Sequence, residues 1–238
     1  MAYDPGNRWA VRGTMPQVDI DVGLRQYMLQ IYNYMASGLA LTGIVAYVAA
    51  ASGFYYSIAH TPLIYVVMFA PFGLVLWLSM GINKMSAGTA QLLFWLYAGL
   101  MGLSLAGIFL VFTGASIARV FFISAGTFAA MSLYGYTTRR DLSRFGSFLF
   151  MGLIGIIIAS LVNMFIASSA LQFAISVIGV VVFVGLTAWD TQRIKEMYVA
   201  YEDGQIAGKK AVMGALQLYL DFVNLFLMML QLFGQRRD

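Results

Sequence analysis

Cysteine is absent from this 238-residue sequence, and histidine occurs only once, at His60. Disulfide bonds, thioether-linked haem and thiolate metal sites are therefore excluded, and so is a centre built from several histidines. Charged residues are also scarce, at 10% of the chain, whereas soluble domains carry about 25%. Since 61% of the residues are hydrophobic and the mean hydropathy is +0.81, we predict an integral membrane protein.

Long apolar runs predict seven transmembrane helices, because about 20 apolar residues are needed to cross a bilayer core. From Gln26 to Asn83 there is no Asp, Glu, Lys or Arg, which leaves room for two of the seven. The predicted spans lie near residues 28–51, 62–82, 90–112, 120–138, 146–166, 170–190 and 211–235. We therefore expect an all-α protein with a polar arm, residues 1–25, and one seven-helix transmembrane domain, residues 26–238.

Two spans carry small residues at four-residue spacing. Small side chains let helix backbones approach closely in lipid, so both ridges are expected to contact neighbouring helices. They consist of Gly38, Thr42 and Ala46 in the first span and Ala98, Gly102 and Ala106 in the third.

The basic residues predict how the helices are oriented. With a cytoplasmic N-terminus, only three of the 14 lysines and arginines fall outside, namely Arg119, Arg236 and Arg237, as the positive-inside rule expects. The Arg236–Arg237 pair would suit a re-entrant last segment, but residues 211–234 are long enough for a full span, which we prefer. Because the positive charge lies in the connections, the net charge of +4 does not predict nucleic-acid binding.

Asp190 and Asp221 are the only acidic residues inside the apolar spans. An acid at the bilayer centre costs roughly 2.5–3.5 kcal/mol on insertion scales, so it usually marks a functional site. The predicted turn at residues 201–210 lies midway between the two aspartates, which predicts that they face each other at the same height. Helical 4-3 spacing puts each on a polar stripe: Ser176, Val180, Phe183, Thr187 and Asp190; and Gln217, Asp221, Asn224, Met228 and Gln231.

Two neighbouring carboxylates are expected to share either a proton or a hard cation. Calcium prefers six to eight oxygen ligands, so Gln217, Asn224 and Thr187 are candidate pore or supporting residues, together with backbone carbonyls and water. An ion site, a shared proton that only pins two helices, and a proton-transport site all remain open at this point. For Gln217, Asn224 and Asn163, an interhelical hydrogen bond is the simpler interpretation.

Three segments carry a resemblance to a known family. They read GLTAWDTQRIK at residues 185–195, ALQLYLDFVNLF at 215–226 and YGYTTRRDLSRFG at 134–146. With these motifs the chain resembles bacterial members of the Bax inhibitor-1 family, also called the transmembrane BAX inhibitor motif family. The resemblance implies a last helix that is central and wrapped by the other six. It also implies a pH-sensitive calcium leak in which Asp190 and Asp221 sense protons and calcium.

The sequence departs from this family at one position. Some members carry an arginine near the cytoplasmic end of the second helix, whereas residues 76–83 contain none, so Lys84 becomes the candidate gating cation. The expected location is the bacterial inner membrane, with calcium as the permeant or bound ion, no cofactor and no enzyme activity. The alternative is a non-conducting modulator or partner of a membrane protease or stress-response protein, contacted through residues 1–25.

Overall fold

Helices account for almost all of residues 17–237, the part of the chain that the computed structural model describes, with side chains described from residue 22. Seven of these helices, or helix pairs, are long and apolar enough to cross a membrane, which confirms the predicted all-α fold. The elements are α1 (Gln17–Ala51), α2 (Phe54–Ala59), α3 (Leu63–Gly81), α4 (Ala87–Leu105), α5 (Ile108–Val111), α6 (Gly114–Thr137), α7 (Ser143–Ile166), α8 (Ser169–Glu196) and α9 (Gly204–Phe233). Short α2 links the first two spans, and α5 completes the span begun by α4.

The hairpin between α8 and α9 is tighter than the sequence suggested. Helix α8 continues to Glu196, and α9 already begins at Gly204, so residues 204–210 are helical rather than part of the turn. The cause is a helix cap, since the Asp203 carboxylate accepts a hydrogen bond of 2.7 Å from the backbone amide of Gln205. Such caps satisfy a donor that the helix itself leaves unpaired.

Two other boundaries also differ from the prediction. The fourth span begins at Gly114 rather than near residue 120, because the Thr113 side chain caps α6. Helix α1 begins at Gln17, so residues 17–25 of the predicted polar arm are its first turns. Residues 1–16 of that arm lie outside the described residues, and their role stays a prediction.

Helix α9 is the most buried of the seven spans. Within its apolar segment 61% of the residues are buried, whereas the corresponding value for α7 is 6%. Its main neighbours are α1, α4, α6 and α8, while α3 packs against α4 and α7 against α8. That α9 is wrapped by all six other spans stays a prediction.

The two small-residue ridges do lie against neighbouring helices. A Cβ atom on Gly102 of α4 would lie 2.6 Å from the backbone oxygen of Thr42 in α1, so only glycine permits this approach. The Thr42 hydroxyl donates to the backbone oxygen of Ala98 at 2.8 Å and accepts from the Tyr219 hydroxyl at 2.7 Å. These contacts join α1, α4 and α9 in the core of the bundle.

Removing the Tyr219 hydroxyl is expected to weaken this junction. The Tyr219→Phe substitution leaves Thr42 without its donor, so the free energy of unfolding should fall by roughly 0.5–1.5 kcal/mol. The matched control is Tyr97→Phe, because the Tyr97 ring packs edge-to-face against Tyr219 but its hydroxyl makes no hydrogen bond among the described residues. Thermal unfolding in detergent should show a larger decrease for Tyr219→Phe than for Tyr97→Phe, and equal decreases would contradict the assignment.

The chain after α9 is tied to the connection between α5 and α6. The backbone amide of Thr113 donates to the Gln235 oxygen at 3.0 Å, and that of Arg237 donates to the Val111 oxygen at 2.9 Å. The Gln235 amide also donates to the Ser116 hydroxyl at 2.8 Å. We call this end of the bundle the C-terminal face.

The opposite end, the N-terminal face, collects the α3–α4, α6–α7 and α8–α9 connections. Gln205 at the start of α9 accepts a hydrogen bond from the Ala87 amide at the start of α4. Near the end of α8, the Gln192 side chain bonds the backbone of Arg140 and Leu142 between α6 and α7. Helix α9 therefore runs without a break from one face to the other and is long and apolar enough for the full last span that we prefer.

Candidate functional site

Helices α8 and α9 pack along their length, and we call this interface the seam. It places Gln217, rather than Asp221, opposite Asp190. The Gln217 side-chain amide donates to Asp190 Oδ1 at 2.5 Å. Farther along the two helices, Gly179 of α8 contacts Met228 of α9. This pair has the same register as Asp190 and Gln217, because each lies 11 residues from its counterpart on the same helix. Asp221 therefore lies one helical turn beyond the level of Asp190, and the prediction of equal height is wrong. The connection between the helices is residues 197–203 rather than the predicted 201–210, and symmetry about the turn does not give the pairing that the side-chain contacts show.

The two aspartates are nevertheless close, because side chains one turn apart on facing helices can meet. Asp190 is 3% exposed and Asp221 is 5% exposed, and their carboxyl groups are neighbours in the same site. Asp221 Oδ2 is buried and has no hydrogen-bond partner in the described residues. Two ionised carboxylates this deeply buried repel each other strongly, so the pair needs a shared proton or a cation.

The aspartate pair borders a cavity of about 850 Å³ between α3, α7, α8 and α9. The α3 and α7 walls are almost entirely apolar, with Phe69, Phe72 and Phe150 among their side chains. The polar groups come from α8 and α9, except for Ser160 of α7. The polar residues from α8 and α9 are Asp190, Arg193, Gln217, Asp221 and Asn224. A polar strip therefore runs along one wall of an otherwise apolar cavity.

The predicted amide residues lie near the site in different ways. Gln217 and Asn224 both line the cavity, but only Gln217 makes an interhelical hydrogen bond, the one to Asp190. The Asn224 amide instead donates within α9, to the Leu220 oxygen at 2.8 Å. Asn163 joins α7 to α8 through a 3.1 Å hydrogen bond to Gln172, which confirms its interhelical interpretation.

Thr187 and Lys84 are not among the residues that line the cavity. The Thr187 hydroxyl donates to the Phe183 oxygen of its own helix at 2.8 Å, and the Thr187 oxygen accepts from the Thr191 hydroxyl. Lys84 is exposed and ends the 3-10 turn Ile82–Lys84. A ligand role for Thr187 and a gating role for Lys84 remain predictions, and neither has support from these contacts.

Arg193 is the functional candidate that the sequence reasoning missed. The predicted sixth span ends at residue 190 and leaves Arg193 in a connection, yet Arg193 lies within α8 and lines the same cavity as Asp190. Its guanidinium is 5.4 Å from the centroid of the Trp189 ring, a distance typical of cation–π contacts. The available signal was its spacing, because a residue three positions after Asp190 lies on the same helix face.

Two glycines hold the segment of α8 that carries Asp190. A Cβ atom on Gly135 of α6 would lie 2.1 Å from the Ala188 oxygen, and one on Gly146 of α7 would lie 2.2 Å from the Trp189 ring. Both distances are far below van der Waals contact, so neither position accepts a side chain without movement. Helices α6 and α7 therefore pack closely against α8 at Ala188 and Trp189, the two residues that precede Asp190.

The fold and the site together define a seven-helix membrane protein whose last two helices carry a buried aspartate pair beside a cavity. A family model described as "Inhibitor of apoptosis-promoting Bax1" matches residues 24–238. The chain therefore belongs to the Bax inhibitor-1 family, which confirms the resemblance predicted from the sequence.

Individual relatives are bacterial. The chain is 53% identical to an uncharacterized protein of Rickettsia prowazekii, with 92% of this chain and 93% of the relative covered. It is 52% identical to inner membrane protein YbhL of Escherichia coli, with 90% and 94% covered. An uncharacterized membrane protein of Streptococcus pyogenes is 36% identical, with 90% and 95% covered.

Proposed function

We propose that the protein is a pH-sensitive calcium leak, with Asp190 and Asp221 as its proton and calcium site. The observation that carries this proposal is the burial of two adjoining carboxyl groups at the wall of a large cavity. No group of three or more His, Cys, Asp or Glu side chains is placed to hold a metal ion within residues 17–237. A permeant cation would therefore take its remaining ligands from Gln217, Asn224, backbone carbonyls and water, a set suited to weak binding and release.

Protons and calcium compete for the pair, and this competition sets the direction of the pH response. When one proton is shared, the two carboxyl groups carry a single negative charge and bond to each other. When that proton leaves, the charge doubles and the repelling carboxylates favour a divalent cation. Calcium flux is therefore expected to rise as the pH rises.

The proposed location is the inner membrane, with the N-terminal face in the cytoplasm. The inner membrane location of the Escherichia coli relative, stated in its name, supports the choice of membrane. The charge distribution supports the orientation, because Arg236 and Arg237 belong to the C-terminal face and most other basic residues lie toward the N-terminal face.

Reconstitution tests this function directly. Purified protein is placed in liposomes loaded with a calcium-sensitive dye, and calcium uptake is followed at several pH values. We expect uptake above that of protein-free liposomes, increasing from acidic to neutral pH. Uptake equal to that of protein-free liposomes at every pH would refute the leak, and a non-conducting partner protein would then be the better interpretation.

Arg193, rather than Lys84, is proposed as the cation that adjusts the site. A positive charge near Asp190 favours the ionised pair, so Arg193→Gln should move the midpoint of the flux–pH curve upward by roughly 0.5–1 pH unit. The matched control, Lys84→Gln, removes a positive charge from an exposed residue outside the cavity and should leave the midpoint unchanged. A shift with Lys84→Gln alone would reverse the assignment.

A further inference from the structure

The polar residues of the α8–α9 seam form two separate groups. The first is the aspartate site, with Asp190, Gln217 and Asp221. The second, which we call the amide cluster, consists of Asn163, Gln172, Ser176 and Gln231 near the C-terminal face. Both groups lie along one line, because Gln231 continues the α9 stripe that begins at Gln217.

The amide cluster joins three helices close to their ends. Gln231 Oε1 accepts a 2.9 Å hydrogen bond from the Ser176 hydroxyl and another from the Gln172 side chain. Gln172 Oε1 in turn accepts from Asn163 of α7. Gln231 is exposed, whereas Asn163 and Ser176 are buried. The cluster therefore leads from the surface of the bundle into the seam.

Met228 separates the two groups. Its side chain lies directly on the backbone of α8, since a Cβ atom on Gly179 would be 2.8 Å from both Met228 Cγ and Sδ. At 1.5 Å per residue, Met228 is about 10 Å beyond Asp221 and about 4.5 Å short of Gln231. It also lines the cavity that contains Asp221 and Asn224.

An apolar contact between two polar regions, such as that of Met228 with Gly179, is a barrier to ions. A cation at the aspartate site exchanges water for carboxylate and amide oxygens, but a thioether and a glycine offer no comparable ligand. Narrow apolar segments exclude water and can thereby close a pore to ions, even when no side chain blocks the pore completely. Gly179 matters here because any larger residue would displace Met228 from the seam.

We infer that Met228, seated on Gly179, is the gate between the aspartate site and an outer mouth formed by the amide cluster. The inference rests on the proposed leak function, because it assigns the exit of the same ion path. It predicts that the aspartate site and the amide cluster become connected by a continuous ion path when the Met228 side chain is shortened. The aspartate pair is untouched by that change, so the pH dependence should remain.

The first test measures calcium uptake by proteoliposomes. Met228→Ala should raise uptake about tenfold, the change produced by ~1.4 kcal/mol in a barrier, with the pH midpoint unchanged. Met164→Ala is the matched control, because Met164 lines the same cavity from α7. Equal uptake by wild type, Met228→Ala and Met164→Ala, with wild-type uptake above the protein-free level, overturns the gate but not the leak.

The second test does not depend on calcium flux. Since the chain has no cysteine, Asn224→Cys and Gln231→Cys each introduce a single thiol. A membrane-impermeant thiol reagent added at the C-terminal face should modify the thiol of Gln231→Cys rapidly, and that of Asn224→Cys rapidly only when Met228→Ala is also present. If the Asn224→Cys thiol reacts equally fast with and without Met228→Ala, Met228 is not a barrier, whatever the ion flux.

Discussion

Replacing both aspartates by asparagine is expected to reduce calcium uptake to the protein-free level and to abolish its pH dependence. Among the described residues, Asp190→Asn with Asp221→Asn removes the only acidic side chains that line the cavity, so the site can neither bind a divalent cation by charge nor exchange a proton. Asparagine has nearly the same shape as aspartate and still bonds to Gln217 and across the pair. The change therefore tests charge rather than helix contacts, and calcium uptake at several pH values measures it.

A matched control for this experiment is Asp141→Asn, the same chemical change outside the membrane spans. The backbone amide of Ser143 donates a 2.8 Å hydrogen bond to Asp141, and this bond holds the pKa of the exposed Asp141 carboxyl below its usual value. Asp141 therefore stays ionised across the tested range, and its substitution should change neither uptake nor the pH response. If the double variant retains both wild-type uptake and wild-type pH dependence, the aspartate pair is not the site.

The single variants distinguish the roles of the two aspartates. Asp221→Asn should resemble the proton-sharing state at every pH, because an amide donates a hydrogen bond to Asp190 permanently. We expect low uptake without pH dependence. If instead Asp221→Asn titrates as wild type does, the two carboxyl groups do not share a proton, and Asp190 alone would have to carry the pH response.

The second large effect is expected at Gly135, where α6 touches α8. The methyl group of Gly135→Ala would meet the Ala188 oxygen at 2.1 Å, so the helices must separate beside Asp190. Overpacking of this kind typically lowers the free energy of unfolding by about 1–3 kcal/mol. We expect a lower melting temperature in detergent and weaker calcium uptake, because α8 no longer holds Asp190 against α9.

Helix α6 offers its own control for this prediction. No atom lies within 4 Å of a Cβ placed on Gly126, so Gly126→Ala should be neutral or slightly stabilising, since alanine favours helix more than glycine does. Gly146→Ala and Gly155→Ala form the equivalent pair on α7. Equal melting temperatures for Gly135→Ala and Gly126→Ala would show that the close contact with α8 does not matter for stability.

Much of the fold was predictable from local patterns. The seven spans follow from apolar runs, because lipid tolerates few charged residues and a helix needs a fixed length to cross it. The importance of Asp190 and Asp221 followed from the same rule, since acids at that depth are costly. The polar stripe on α9 followed from helical periodicity, and Gln217, Asp221 and Asn224 do line one cavity.

The register between α8 and α9, meaning which residues of the two helices face each other, could not be predicted from such patterns. The Asp203 cap decides where α9 begins, but the pairing also depends on how the two helices pack, and a displacement of four residues moves every facing pair by about one turn. Sequence periodicity fixes which face of a helix a residue occupies, but not its height relative to another helix. Gln217 rather than Asp221 therefore came to lie opposite Asp190.

By itself, then, the sequence determined that this is a seven-helix membrane protein with two acids in its last two spans. Only the tertiary structure decided which groups meet there: Arg193 lines the cavity and Lys84 does not, Thr187 bonds to its own helix, and Met228 rests on Gly179. The physical reason is that hydrophobicity and periodicity act along one helix, whereas a site between helices depends on how closely they approach. That approach is set by small residues such as Gly135 and Gly146, whose effect appears only once their partners are in place.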